Sequence, residues 1–314
     1  MSTGKPIIVL SRELPPMFTE ALAGFAEVRV GGTDPAAEVL EGAAVYLATG
    51  VDPVPEQLIQ RFPDSLGLIA NIATGTDNID LAAATSRGIA VSNTPVVTED
   101  TADLTFALLL ATCRRLSYCE RRLRADEWAQ GAGHMGLRVH GKTLGIIGLG
   151  EIGQAVARRA QGFNMNILYH GPRRKAEAEA ALGAEYCAEL ADLLARADIV
   201  SLNCPLTEDN RHLVNSEALA QMKPGAVLIN TGRGPLVDEQ ALVDALAGGQ
   251  LGGAGLDVFE FEPQVHQDLL SFDNVTLLPH IGSATGECRA DMARRALANI
   301  QQFLSAGQPG DRCS

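Results

Sequence analysis

The sequence predicts an α/β protein made of two doubly wound parallel sheets, and three observations predict it. Short apolar runs of strand length alternate with helix-length segments along most of the chain, and strand–helix–strand order at this spacing makes parallel βαβ units. The alternation comes as two series, separated by an apolar segment and a glycine-rich polar stretch between residues 98 and 142. The second series opens on G-x-G-x-x-G, formed by Gly148, Gly150 and Gly153, with an apolar strand running in and an alanine-rich helix running out. A length of 314 residues suits two domains of ordinary size.

In the first series, "PIIVL" (6–10), "EVRV" (27–30), "AVYLA" (44–48), "GLIANIA" (67–73) and "IAVSN" (89–93) read as strands. Between the last two lies "DLAAATSRG" (80–88), a helix with Asp80 as N-cap and Gly88 as its stop. "TEDTADLTFALLLATCRRL" (98–116) has acids at its start and arginines at its end, which complements a helix dipole. Its middle is apolar on every side, so it is expected to be buried, as a crossing between domains. "RADEWAQGAGHMGLRVHGK" (124–142), with the only tryptophan, Trp128, reads as an extended arm or loop. Six more strands follow at "TLGIIG" (143–148), "NILY" (166–169), "DIVSLN" (198–203), "AVLIN" (226–230), "GAGLDVF" (253–259) and "VTLLP" (275–279). The chain closes with an amphipathic helix over 288–307, stopped near Gly307.

Composition narrows the function. Hydrophobic residues make up 46% of the chain and the net charge is −13. That charge opposes nucleic acid and anionic membrane surfaces, which both need a basic field. An anionic substrate must therefore be held by a local cationic spot, against the global field. The six cysteines show no C-x-x-C spacing and do not cluster with histidines, so reduced thiols and no metal are expected. The four-residue apolar run near the N-terminus is too short for a signal peptide. "LTFALLLATC" is about half of the ~20 residues a bilayer span needs. A cytoplasmic protein is expected.

In the glycine loop, Gly148 permits the tight turn, Gly150 lets backbone approach a pyrophosphate, and Gly153 lets helix pack on strand. The N–H groups of the helix start, at Glu151, Ile152 and Gly153, face the phosphates. Glu151 sets a carboxylate beside that place, with its side chain expected in solvent. In NAD enzymes an acid about 20 residues further on holds the ribose 2′-hydroxyl. Here the strand is expected to end at Tyr169, and "HGPRR" follows: His170, Gly171, Arg173 and Arg174, with no acid. Arginines pair with a 2′-phosphate through charge-assisted hydrogen bonds, so the stretch reads as an NADP pocket. A solvated turn in an enzyme that takes NAD as readily is the other reading.

Ligands in open α/β sheets sit outside the carboxyl ends of the strands. Three charged residues fall there: Arg233 in "AVLINTGRG", Glu262 in "GLDVFEFEP" and His280 in "VTLLPHIGSAT". Together they suit carbonyl reduction. Arginine polarises the carbonyl and grips a neighbouring carboxylate. Histidine delivers the proton, and glutamate orients the imidazole and favours its charged form. Histidines 134, 140, 212 and 266 lack such a context.

With "GLGEIG", "CPLTEDNRHLVN", "MKPGAVLINTGRGPLVDEQALVDAL", "GAGLDVFEFEP" and "LLPHIGSAT" in hand, the chain resembles the D-isomer-specific 2-hydroxyacid dehydrogenases over nearly its whole length. The resemblance implies a Rossmann cofactor domain, 98–284, and a smaller flavodoxin-like substrate-binding domain, 1–97 with 285–314, with a cleft between them. It puts the catalytic roles on Arg233, Glu262 and His280. It places the substrate carboxylate on the backbone amides of Thr74 and Gly75 in "ATGTDNID", and Asp257 near the nicotinamide amide. Thr98, Cys204, Pro205, Thr231 and Gly282 match positions that line the cofactor. "LYHGPRR", "GHMG" and "PHIGSAT" look most like NADPH-dependent glyoxylate/hydroxypyruvate reductases. The implied reaction is reduction of a small 2-keto acid to the D-2-hydroxy acid, with NADPH or else NADH. A homodimer, with the 117–142 arm on the partner, is implied as well. "TGT" stands where "VGV" or "VGY" is more usual, which leaves the choice of keto acid open.

Overall fold

A computed structural model describes residues 4–313. It divides into two compact units: one comprises the chain up to Val97 and again from Ala284, the other Thr98–Ser283. Both are doubly wound α/β layers, as the alternation predicts.

The smaller unit holds a five-stranded parallel sheet: β1 (Ile7–Leu10), β2 (Glu27–Val30), β3 (Ala43–Thr49), β4 (Leu68–Ile72) and β5 (Ala90–Ser92). The order is β2-β1-β3-β4-β5, the flavodoxin-like arrangement. Its core lies on both faces of the sheet. Leu10, Leu47 and Leu68 pack with Ala296 and Ile300 of the C-terminal helix Gly286–Ala306 on one side. Tyr46, Ile69 and Val91 pack with Leu58 and Ile59 on the other. Asp80 caps the helix Leu81–Ser86 by accepting the Ala83 N–H at 2.9 Å. The final helix stops at Gly307, in the left-handed conformation with φ 75°.

The larger unit holds a seven-stranded parallel sheet: β6 (Thr143–Ile147), β7 (Asn166–His170), β8 (Ala184–Tyr186), β9 (Ile199–Leu202), β10 (Ala226–Asn230), β11 (Leu251–Leu256) and β12 (Val275–Leu277). The order β12-β11-β10-β9-β6-β7-β8 is a dinucleotide-binding order, reversing between β6 and β9. β9 and β10 are buried at every position, which is why they read as unbroken apolar runs. The helix Thr98–Cys113 packs on this sheet through Thr105, Phe106, Leu108 and Leu109.

Three sequence expectations need correction. β7 continues to His170, one residue past Tyr169. β8 was not anticipated, because three residues beside a short helix carry no alternation to detect. The 124–142 stretch is not simply extended. Arg115, in the left-handed conformation with φ 51°, ends the apolar helix, and a second helix, Leu116–Arg124, begins there. A short helix, Trp128–Ala132, then packs back on it, joined by the 2.7 Å pair Arg122–Glu127. Tertiary contacts of this kind stabilise a glycine-containing turn that intrinsic propensity disfavours.

Candidate active site

Three of the candidate residues converge in the larger unit, each held by the segment just past its strand. Beyond β10, the buried side chain of Asn230 clamps the turn. Its Nδ2 donates to Arg233 O at 2.9 Å and its Oδ1 accepts the Gly232 N–H at 3.0 Å. This fixes the backbone that carries Arg233. Thr231 is tied to the apolar helix through a 2.7 Å hydroxyl contact with Thr105.

Beyond β11, Glu262 folds back so that its Oε1 accepts the Phe259 N–H at 3.0 Å. Its Oε2 lies 2.8 Å from His280 Nδ1. Burial pushes the Glu262 carboxyl up, but the His280 hydrogen bond, the Phe259 N–H and the field of Arg233 carry it below its ordinary value. Glu262 is therefore a carboxylate at neutral pH, and Nδ1 is the donor in the pair. The other ring nitrogen, Nε2, has no hydrogen-bond partner among the described residues.

His280 has a left-handed backbone, φ 54°, which is strained for a residue with a side chain. Asp257 holds it there. The backbone carbonyl of Asp257 accepts the His280 N–H at 2.8 Å, and its carboxylate accepts the N–H groups of Ile281 and Gly282 at 2.8 and 2.9 Å. Burial pushes the Asp257 carboxyl above its usual range in spite of those N–H donors.

The glycine loop between β6 and the helix Glu151–Gln161 fits a dinucleotide on structural grounds. Gly148 has φ 96°, and a Cβ there would lie 2.6 Å from Cys204 N. A Cβ on Gly153 would lie 2.2 Å from Gly148 O, so no side chain is tolerated at that crossing. In front of Gly150, by contrast, a Cβ would meet nothing within 4 Å. The helix that Gly150 opens has no side-chain cap, so its first N–H groups and positive dipole end are available to an anion. Ile152 is half-buried in that first turn. Glu151 is exposed, as expected, and its carboxylate accepts the Thr98 hydroxyl at 3.2 Å. Across the loop, burial raises the Cys204 thiol to about 11, so it is neutral, and Pro205 O accepts Asn210 Nδ2 at 2.8 Å.

After β7, His170 Nδ1 donates to Cys187 O at 3.0 Å. Gly171 O accepts the Tyr186 hydroxyl at 3.2 Å. The two arginines differ. Arg174 forms a fork with Glu179, 2.9 Å from Nε and 2.8 Å from Nη2, and Glu179 also accepts the Tyr169 hydroxyl at 2.6 Å. Those donors hold the Glu179 carboxyl down at about 2. Arg173 is exposed and forms no ion pair among the described residues. The sequence stretch holds no acid, but the helix Ala176–Leu182 brings one to Arg174.

In the smaller unit, the loop after β4 has an unusual hydrogen-bond account. The carbonyls of Ala73, Thr74 and Gly75 are all taken: by Thr94 N at 2.8 Å, Asn93 Nδ2 at 2.7 Å and Asn71 Nδ2 at 2.9 Å. In a trans peptide the N–H points opposite to the C=O of the same unit. The three N–H groups so directed, of Thr74, Gly75 and Thr76, have no acceptor among the described residues. Three successive free amides are donors that could serve an anion. Sequence reasoning named Thr74 and Gly75 but missed Thr76, Asn71, Asn93 and Asn230. The available signal was a polar residue at the end of an otherwise apolar strand.

No group of side chains suited to a metal ion occurs among the described residues, and no helix there is long and apolar enough to cross a membrane.

Comparison with known proteins agrees with this chemistry. Residues 106–282 match the model of the D-isomer specific 2-hydroxyacid dehydrogenase, NAD binding domain. The chain is 45% identical to a glyoxylate reductase of Pyrococcus horikoshii, over 95% of this chain and 93% of that protein. It is 43% identical to a glyoxylate/hydroxypyruvate reductase B of Escherichia fergusonii, over 94% of each. A solved NADPH-dependent glyoxylate/hydroxypyruvate reductase from Sinorhizobium meliloti, in complex with NADP and malonate, superposes with a TM-score of 0.92 at 36% identity, covering 99% of this chain and 97% of that one. A nucleotide-binding Rossmann unit, a carboxylate–imidazole pair beside an arginine, and these relatives lead to one conclusion: the chain belongs to the D-isomer-specific 2-hydroxyacid dehydrogenases and is an oxidoreductase.

Proposed function

We propose that the protein reduces glyoxylate, hydroxypyruvate or a similarly small 2-keto acid to the D-2-hydroxy acid, with NADPH preferred. The observation that carries the reading is the 2.8 Å contact between His280 Nδ1 and Glu262 Oε2, with Glu262 held ionised. When bound, the reduced nicotinamide supplies a hydride to the carbonyl carbon. The chain's own residues do the rest. His280 gives the proton on Nε2 to the carbonyl oxygen as negative charge develops there. Glu262 orients the ring through Nδ1 and stabilises its positive charge. Arg233 polarises the carbonyl and pairs with the substrate carboxylate. The amide N–H groups of Thr74 and Gly75, in the smaller unit, donate to that carboxylate; the smaller unit serves as the substrate-binding domain and the larger unit as the cofactor domain. Asp257 holds the His280 turn and faces the nicotinamide amide. Thr98, Cys204, Pro205, Thr231 and Gly282 line the cofactor, and the glycine loop from Gly148 to Gly153 takes its pyrophosphate. Exposed Leu123, Trp128 and Met135 favour a homodimer through the arm that carries them.

Initial rates with NADPH and NADH, on glyoxylate, hydroxypyruvate, pyruvate and phenylpyruvate, test the reading. Failure to reduce any of the four would overturn it.

For the cofactor, Arg173 and His170, beside Gly171, are proposed as the main partners of a 2′-phosphate, with Arg174 secondary because Glu179 already neutralises it. Arg173→Ala is expected to raise KM for NADPH severalfold and to leave KM for NADH nearly unchanged, while Arg174→Ala has the smaller effect. Both side chains are exposed, so solvent screening keeps the effects modest. The Arg174–Glu179 fork also favours a second reading, use of NADH at a comparable rate, and a parental enzyme that prefers NADH would establish it against the first.

A further inference from the structure

The amides after β4 hold their direction because of a chain of polar side chains at the carboxyl edge of the five-stranded sheet. It starts at an expensive feature, a fully buried carboxylate. Asp52 is 0% exposed. Its oxygens accept the Ser11 hydroxyl at 2.5 Å, Arg12 Nε at 2.9 and 3.0 Å, and the Thr49 N–H and hydroxyl at 3.0 and 2.7 Å. Burial pushes this carboxyl up, but the Arg12, Ser11 and Thr49 donors bring it below its ordinary value, so it stays charged. A buried ion costs desolvation, and in some proteins it is retained because it fixes a geometry. The geometry fixed here is the turn Thr49–Asp52, at the point between β1 and β3 where the strand order reverses.

Two carbonyls of that turn point at one amide. Asn78 Nδ2 donates to Asp52 O at 2.9 Å and to Thr49 O at 3.1 Å. Its Oδ1 accepts Asn71 Nδ2 at 3.1 Å. The second proton of Asn71 Nδ2 goes to Gly75 O at 2.9 Å. The amide orientations have no freedom to flip. Gly75 O can only accept, so Asn71 must present nitrogen to it. The carbonyls of Thr49 and Asp52 can only accept, so Asn78 must present nitrogen to them and oxygen to Asn71. Asn71 is 1% exposed and both of its amide protons are used. On the other side of the loop, Asn93 fixes Thr74 O, and Asn93 O in turn accepts Asn299 Nδ2 at 2.9 Å from the C-terminal helix.

We infer that Asn71 and Asn93 are positioning residues for substrate binding: by occupying the carbonyls of Gly75 and Thr74, they set the N–H groups of Gly75 and Thr76 as a rigid donor row for the substrate carboxylate, with Asn78 and Asp52 anchoring Asn71. The inference rests on the reading of the Thr74–Gly75 loop as the carboxylate site. It adds the Thr76 N–H as a third donor. Without Asn71, the peptide after Gly75 is free to turn its carbonyl toward the carboxylate and repel it.

The test uses the full chain. Asn71→Ala and Asn93→Ala are each expected to raise KM for glyoxylate, and the Ki of oxamate against the enzyme–NADPH complex, by about tenfold or more, the scale of one lost charge-assisted hydrogen bond. kcat should change much less, and the Kd of NADPH, which belongs to the larger unit, should not move. A loss of general stability would lower Tm without this split. Asn93 lies nearer the surface, so its variant serves if Asn71→Ala does not fold. KM and Ki within twofold of the parent in a folded variant would overturn the inference. Gly75→Pro, which deletes a donor outright, separates the two levels. If it raises KM and Ki but the asparagine variants do not, only the positioning inference fails. If it leaves both unchanged, the carboxylate reading fails as well.

Discussion

His280→Ala is expected to lower kcat for keto-acid reduction by roughly 10²–10⁴, the usual share of a positioned general acid. Cofactor binding should survive, because the glycine loop and the uncapped helix proposed to receive it lie on other elements. The companion variant, Glu262→Gln, keeps the shape of the side chain and its reach to Nδ1 but removes the charge. In the parent, the ionised Glu262 shares a hydrogen bond with a ring that must carry two protons to act as an acid. Removing the carboxylate charge takes away the partner that orients the ring through Nδ1, so kcat/KM for reduction should fall. Glu262 is depressed below its ordinary value, so its support is present at neutral pH and is lost only as pH drops through that lowered range. A pH–rate profile of kcat/KM, taken where chemistry limits the rate, checks this: the acid limb set by Glu262 should be absent in Glu262→Gln. Parental kcat/KM in that variant would rule out the electrostatic role.

Arg233→Ala is expected to damage both parameters. Losing a donor to the developing oxyanion costs about 10²–10³ in kcat, and losing the carboxylate partner raises KM. Arg233→Lys keeps the charge and loses the planar fork, so it should recover only part of the activity. The Asn230 clamp makes this a clean comparison. The backbone carbonyl of Arg233 is held by Asn230 Nδ2 whatever side chain position 233 carries. Steady-state kinetics on glyoxylate distinguish the outcomes, and near-parental rates in Arg233→Lys would count against bidentate recognition.

The sequence reading reached far in some places and stopped at definite points in others. Strands β9 and β10 were legible because parallel strands buried on both faces must be continuously apolar. The helix ends at Asp80 and Gly307 were legible because capping is local chemistry. β8 and the Trp128–Ala132 helix were not, since neither is long enough to carry a period and both are held by contacts with other segments.

The same division runs through the site. By itself the sequence determined the class of fold, the glycine loop and the three charged residues at strand ends, since each depends on residue type within a short window. Tertiary structure alone decided which oxygen of Glu262 meets which nitrogen of His280. It also decided that Glu179 returns to occupy Arg174, and that a buried aspartate from one turn reaches, through two asparagine amides, the peptide that follows Gly75. Hydrogen bonds of this kind join residues far apart in the chain. They depend on distances of a few tenths of an ångström and on the direction of single lone pairs, and no spacing along a sequence encodes either.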